Sequence, residues 1–97
     1  GGHREGRKTL EGNQITFTDM KVDIISPDDL IYSGEATLVS LPGSKGAFEI
    51  LENHAAIIST LEKGRIKVQT SGEDDKFFDV NGGLIEFSDN KLNVLVN

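Results

Sequence analysis

Leu41–Gly64 reads LPGSKGAFEILENHAAIISTLEKG. Pro42-Gly43 ends an apolar run, and Gly43 and Gly46 frame a tight turn in which glycine supplies positive φ. Phe48 and Ile50 follow at period two, the spacing of a half-buried strand. Asn53-His54 interrupts the pattern. The next run, AAIISTL at 55–61, is shorter than a typical helix and rich in isoleucine and threonine, so it is expected to be a strand. Lys63-Gly64 closes the unit.

The same period extends outward in both directions. Upstream, Val22 and Ile24 alternate with Lys21 and Asp23 up to the turn signal Ser26-Pro27-Asp28-Asp29. Leu30-Ile31-Tyr32 is a short run broken by Ser33-Gly34. EATLVSL at 35–41 suits a single strand covered on both faces, with Ala36 and Leu38 opposing Thr37 and Val39. Downstream, Ile66 and Val68 face in while Arg65, Lys67 and Gln69 face out, and a turn at 71–75 returns the chain as Lys76-Phe77-Phe78-Asp79-Val80. Asn81-Gly82-Gly83 reads as a bulge or a corner between sheets. Leu84–Phe87, a turn at 88–90, and Leu92, Val94 and Val96 complete the pattern. These features predict an all-β fold: a small antiparallel β-sandwich of about eight to ten short strands with no long helix. Residues 1–19 carry four glycines, balanced charge and few apolar residues before Ile15. They are expected to be a flexible N-terminal tail, either a tag remnant or an extension, with the sandwich domain at 20–97.

Composition narrows the function. A chain of 97 residues fits one domain, and with no cysteine neither disulfides nor thiolate metal sites hold it together. A net charge of −6 disfavours nucleic acid as a partner. No apolar run approaches the ~20 residues of a membrane-spanning helix. His54 is the one candidate for catalysis or metal binding outside the tail. Glu49 and Glu52 are near it in sequence, but Ser40, Ser44 and Ser59 have no nucleophile context, and one histidine with scattered acids is a poor ligand set. His54 is therefore expected to be structural. Gly43-Ser44-Lys45-Gly46 lacks the helix that a phosphate loop needs, and Glu73-Asp74-Asp75 lacks calcium-loop spacing. The expectation is no enzyme, no catalytic or metal-binding residue, no cofactor and no small-molecule substrate. What remains is a protein-binding β-sandwich. The alternative, a free-standing protein- or carbohydrate-binding module, calls for exposed aromatics. Tyr32, Phe48, Phe77, Phe78 and Phe87 stand mostly where alternation points inward.

The segment GSKGAFEILENHAAIISTLEKG resembles the signature of the epsilon subunit of rotary F-type ATP synthases. Gly43, Gly46, Phe48, Ile50, His54, Ala55, Ile57, Ile58, Leu61 and Gly64 fit it in register. Ile25-Ser26-Pro27, Tyr32-Ser33-Gly34 and the FDVNGGLIEF stretch at 78–87 resemble its flanking strands, so the likeness runs from Met20 to Val96. Two positions depart from the pattern: Ala56 stands where the family often has proline, and Ala47 where it often has an acid. Family members usually continue into two C-terminal helices, whereas this sequence runs to Asn97, so it is expected to be a short form, natural or cut. The resemblance implies a non-catalytic rotor subunit linking the gamma subunit of the central stalk to the membrane c-ring. On that reading the subunit helps couple proton transport to ATP synthesis. It would be peripheral on the cytoplasmic face of the bacterial inner membrane, as part of the ATP synthase complex. By the same resemblance, His54, Ala55, Ile57 and Ile58 are expected at the gamma interface. Gly43, Ser44, Lys45, Gly46 and Ala47 are expected in a loop facing the c-ring.

Overall fold

A computed structural model describes residues 8–11, 14–17 and 19–97 of the chain. In chain order the strands are β1 (Lys8–Glu11), β2 (Gln14–Phe17), β3 (Met20–Ile25), β4 (Leu30–Ala36), β5 (Leu38–Leu41) and β6 (Phe48–Leu51). They continue with β7 (Ile57–Leu61), β8 (Gly64–Gln69), β9 (Lys76–Val80), β10 (Gly83–Ser88) and β11 (Lys91–Val96). Among the described residues there is no helix. β1 and β2 pair as an antiparallel ribbon within the segment expected to be a tail; the rest of that segment up to 18 lies outside the described residues.

Nine strands form the sandwich, in a five-stranded sheet of order β4-β3-β11-β10-β7 and a four-stranded sheet of order β6-β5-β8-β9. Alternation decides which side chains meet between them. Val22, Ile24, Ile85, Phe87, Leu92 and Val94 point inward from the larger sheet, and Val39, Leu41, Ile50, Ile66 and Val68 from the smaller. All of these are essentially inaccessible to water. At roughly 1.5–3 kcal/mol for each large aliphatic or aromatic side chain buried, this layer is the dominant favourable term in the fold.

The chain changes sheets four times, and three of the crossings show how sequence sets the path. Between β4 and β5 the apolar pattern runs unbroken, but at Thr37 the strand turns out of one sheet into the other. The 35–41 run expected to be one strand is thus two strands. Its buried residues are Ala36, Val39 and Leu41, a shift of parity across the corner. Thr37 fastens the corner, its N–H and Oγ1–H both donating to the Gln69 carbonyl at 2.9 and 3.1 Å. The buried Thr70 hydroxyl donates to the Glu35 carbonyl at 3.1 Å. Ser33-Gly34, expected to break a run, lie inside edge strand β4, where one face needs no apolar residue. Residues 52–56 carry the chain from β6 to β7, and Ile57–Leu61 is a strand, as the isoleucine- and threonine-rich composition predicts.

The corner after β9 depends on glycine. Gly83 has φ +158°, and a Cβ placed there would collide with the Leu95 carbonyl oxygen, so the backbones of β10 and β11 can approach only without a side chain. β10 and β11 then form a hairpin through Asp89-Asn90, both at positive φ, which is type I′ geometry. One pairing departs from the antiparallel expectation. β11 lies parallel to β3 and antiparallel to β10, so the last strand is the centre of the larger sheet. Adjacent parallel strands need a long connection, and here nearly the whole domain lies between them.

Candidate functional site

The outward positions of the five-stranded sheet form rows that follow from the strand registers. Thr60 opposes Leu84, Leu84 opposes Leu95, Leu95 opposes Ile25, and Ile25 opposes Leu30. Side chains directly opposite on one face lie about 5 Å apart at Cβ, close enough to merge into one surface. Exposure is 39% for Leu84, 48% for Leu95, 59% for Leu30 and 69% for Ile58, which opposes Glu86 in the next row and lies diagonal to Leu84, both lining one groove. Five of the seven large apolar side chains exposed among the described residues, Ile31 included, belong to this sheet. Exposed apolar side chains gathered on one sheet face make it a candidate docking face.

A charged row borders it. Asp23 accepts a hydrogen bond from the Ser33 hydroxyl at 2.7 Å and lies 3.5 Å from Lys21 Nζ and 3.4 Å from Lys91 Nζ. The Ser33 bond holds the Asp23 carboxyl below the usual carboxylate range, against the opposing effect of partial burial and with help from both lysines. The apolar strip beside a polar margin is the arrangement of a protein interface core and its rim.

The loop expected to face the c-ring is held against this face. Gly43 bridges to Leu61, the Ser44 N–H donates to the Thr60 carbonyl at 3.1 Å, and the Thr60 hydroxyl donates to Ser44 Oγ at 3.0 Å. The Gly46 N–H closes the turn on the Gly43 carbonyl at 3.0 Å, with Gly46 at φ +124°. Ser44, Lys45, Gly46 and Ala47 are left exposed at the tip. A groove of about 550 Å³ separates the loop from Ile58 and Leu84, so the loop and the strip share one end of the sandwich.

His54 stands elsewhere. Its N–H donates to the Leu51 carbonyl at 3.1 Å, and Nδ1 lies 2.7 Å from the Ala55 carbonyl, which makes it the protonated nitrogen. The ring meets Phe87 edge-on at 6.0 Å. Alongside it Asn53 and Asn90 bind each other reciprocally, tying the loop before β7 to the turn before β11. Among the described residues no group of three His, Cys, Asp or Glu side chains could hold a metal ion. The four residues expected at the gamma interface do not share one face. His54 and Ala55 lie exposed in the loop, Ile57 packs against the core, and Ile58 alone joins the strip.

Leu84, Leu95 and Leu30 were missed as surface residues by sequence reasoning; for Leu84 and Leu95 the available signal was their opposite parity to the buried Ile85 and Val94, whereas Leu30 pairs with Ile25 across a register shift that no local pattern records. Of the five aromatics expected to point mostly inward, Phe77 faces out at 54% exposure on the smaller sheet beneath the Arg65 guanidinium, 5.8 Å from the ring centre. Adjacent Phe77 and Phe78 cannot both point inward from a strand. Phe78 packs on Tyr32 at 5.3 Å instead.

The structure defines a small disulfide-free β-sandwich with exposed apolar side chains on its larger sheet. Residues 19–97 match the family described as ATP synthase, Delta/Epsilon chain, beta-sandwich domain. The chain is 40% identical over 83 residues to the ATP synthase epsilon chain of Leptospira interrogans, covering 86% of this chain and 65% of that one. To the epsilon chain of Chlorobium limicola it is 37% identical over 75 residues, covering 77% and 85%. A chain in the cryo-EM structure of the Euglena gracilis mitochondrial ATP synthase has the same fold, with a TM-score of 0.77 at 14% identity. That likeness covers 97% of this chain and 59% of the other. The central-stalk and c-ring structure of the Tetrahymena thermophila enzyme contains another, with a TM-score of 0.68 at 19% identity over 79% of this chain and 62% of that one. The chain belongs to the delta/epsilon family of ATP synthase, whose epsilon chain is a non-catalytic subunit of that membrane-associated complex. It spans about two thirds of the length of the Leptospira relatives it matches. Among the described residues no helix is long and apolar enough to cross a membrane.

Proposed function

We propose that this sandwich is a rotor part that joins the gamma subunit of the central stalk to the c-ring and carries torque between proton flow and ATP synthesis. The observation behind this reading is the strip formed by Ile58, Leu84, Leu95 and Leu30, which ends beside the exposed loop of Ser44, Lys45, Gly46 and Ala47. The strip suits a helical stalk laid across the strands, since apolar ridges on a helix pack against the flat face of a sheet. Ile58 belongs to that contact by position, while His54 and Ala55 would border it from the loop. The glycine-framed loop projects past the strip and would rest on the c-ring. The complex would place the domain on the cytoplasmic face of the bacterial inner membrane. Residues 20–97 would form the working unit, with 1–19 as an appendage.

ATP-driven proton pumping in membranes reconstituted with and without this subunit tests the proposal. Coupling is expected to require the chain, and exchange of residues 44–47 for an unrelated turn is expected to weaken coupling while gamma binding persists. Pumping that is indifferent to the chain would refute the rotor role. The smaller sheet offers a weaker docking face, since Leu51 and Phe77 are set among Glu49, Lys67, Arg65 and Asp79.

A further inference from the structure

We propose that Asn81 is a site of spontaneous covalent modification, losing its side-chain amide by cyclisation onto the Gly82 nitrogen to leave aspartate or isoaspartate at the corner between β9 and β10. Of the six asparagines in the sequence only Asn81 precedes glycine. A side chain on the following residue shields its backbone nitrogen from attack and narrows its backbone freedom; glycine does neither. The fold separates Asn81 from Asn53, Asn90 and Asn93 a second time. It is exposed and lies outside any strand, between Val80 and the buried Gly82. The Asn90 side-chain amide donates to Asn53 Oδ1 and accepts the Asn53 backbone N–H, and Asn93 is held in β11 between β10 and β3.

The chemistry balances with solvent alone. The Gly82 nitrogen gives its proton to base and attacks Asn81 Cγ; the N–Cγ bond closes a succinimide, and the Cγ–Nδ2 bond breaks to release ammonia. Water then opens the ring at either carbonyl. Opening at Cγ leaves aspartate on an ordinary backbone, and opening at the former backbone carbonyl leaves isoaspartate, with the chain running through Cβ. One water is consumed for each ammonia released, and nothing is oxidised or reduced.

The place gives the change its consequence. The Gly82 carbonyl accepts the Asn97 N–H at 3.1 Å, and Gly83 pairs with both Val96 and Leu61 where no extra atom fits. An added backbone methylene one residue earlier pushes this register out of place, and either product adds a negative charge three residues from Leu84 in the apolar strip.

The test is to age the full chain in mildly alkaline buffer and follow each asparagine by peptide mass mapping, with isoaspartyl methyltransferase to mark isoaspartate. Asn81 is expected to convert about tenfold faster than Asn53, Asn90 or Asn93, and more slowly in mildly acidic buffer. The isoaspartate-bearing fraction is expected to melt at lower temperature than fresh protein. Asn81→Asp, which adds the charge without the methylene, is expected to melt close to the unmodified chain. Equal conversion at all the asparagines, or an intact Asn81 after the others have reacted, would overturn the proposal. So would an aged Asn81→Ser variant that loses stability as the parent does. Mapping of the unmodified sequence decides the question even if a variant fails to fold.

Discussion

Gly83 and Gly46 both have positive φ, yet their surroundings differ. A Cβ at Gly83 meets the Leu95 carbonyl, whereas a Cβ at Gly46 meets nothing within 4 Å. Gly83→Ala is therefore expected to cost ~2–4 kcal/mol, from backbone strain and a collision that the sheet cannot relieve. Gly46→Ala should cost only about 1 kcal/mol, the strain alone. Urea unfolding of both variants checks the ordering. Asp23 gives a pH dependence. Its carboxyl titrates lower in the folded state than in the unfolded one, so its contribution is present above the unfolded value and is lost as pH falls through the folded one. Ser33→Ala removes the largest cause of that shift. The variant should lose about 1 kcal/mol near neutrality and show a shallower acid-side decline in melting temperature.

Strands carry their information in parity. Phe87, inward on β10, is buried, and Phe87→Ala is expected to cost ~3–5 kcal/mol, a large part of a small domain's stability. Ile58, outward on β7, should tolerate serine within about 0.5 kcal/mol, as thermal unfolding can measure. Parity was legible in the sequence wherever a polar residue separates apolar ones, as at Val22 and Ile24, Ile66 and Val68, or Leu92 and Val94. It failed at 35–41, because a corner between sheets leaves no gap in an apolar run and shifts the inward set by one position. The parallel partnership of β3 and β11 was equally hidden, since no local pattern records which distant strand will be the neighbour. The loop at 43–47 was visible from its two glycines. The docking strip was not, because Ile58, Leu84, Leu95 and Leu30 come from four separate strands and become one surface only through register.

The molecule as a whole divides its apolar residues between a dry layer inside and a strip outside. Its remaining surface is charged and net acidic, which keeps such a domain from collapsing onto itself in solution. With β11 at the centre of the larger sheet, the sandwich holds its shape through strands drawn from both ends of the domain. Rigidity of this kind suits a part that is carried on a turning stalk and does no chemistry. The affinity of the chain for its cognate gamma subunit, measured beside a variant carrying Ile58→Asp and Leu84→Asp, probes this most directly. The unaltered chain should bind with a Kd of about 1 μM or tighter. The double variant should bind at least ~100-fold more weakly, as expected for charges buried at an interface core, with its melting temperature kept. Equal affinity of the two chains, or no binding by the unaltered one, would show that the strip is not where the stalk docks.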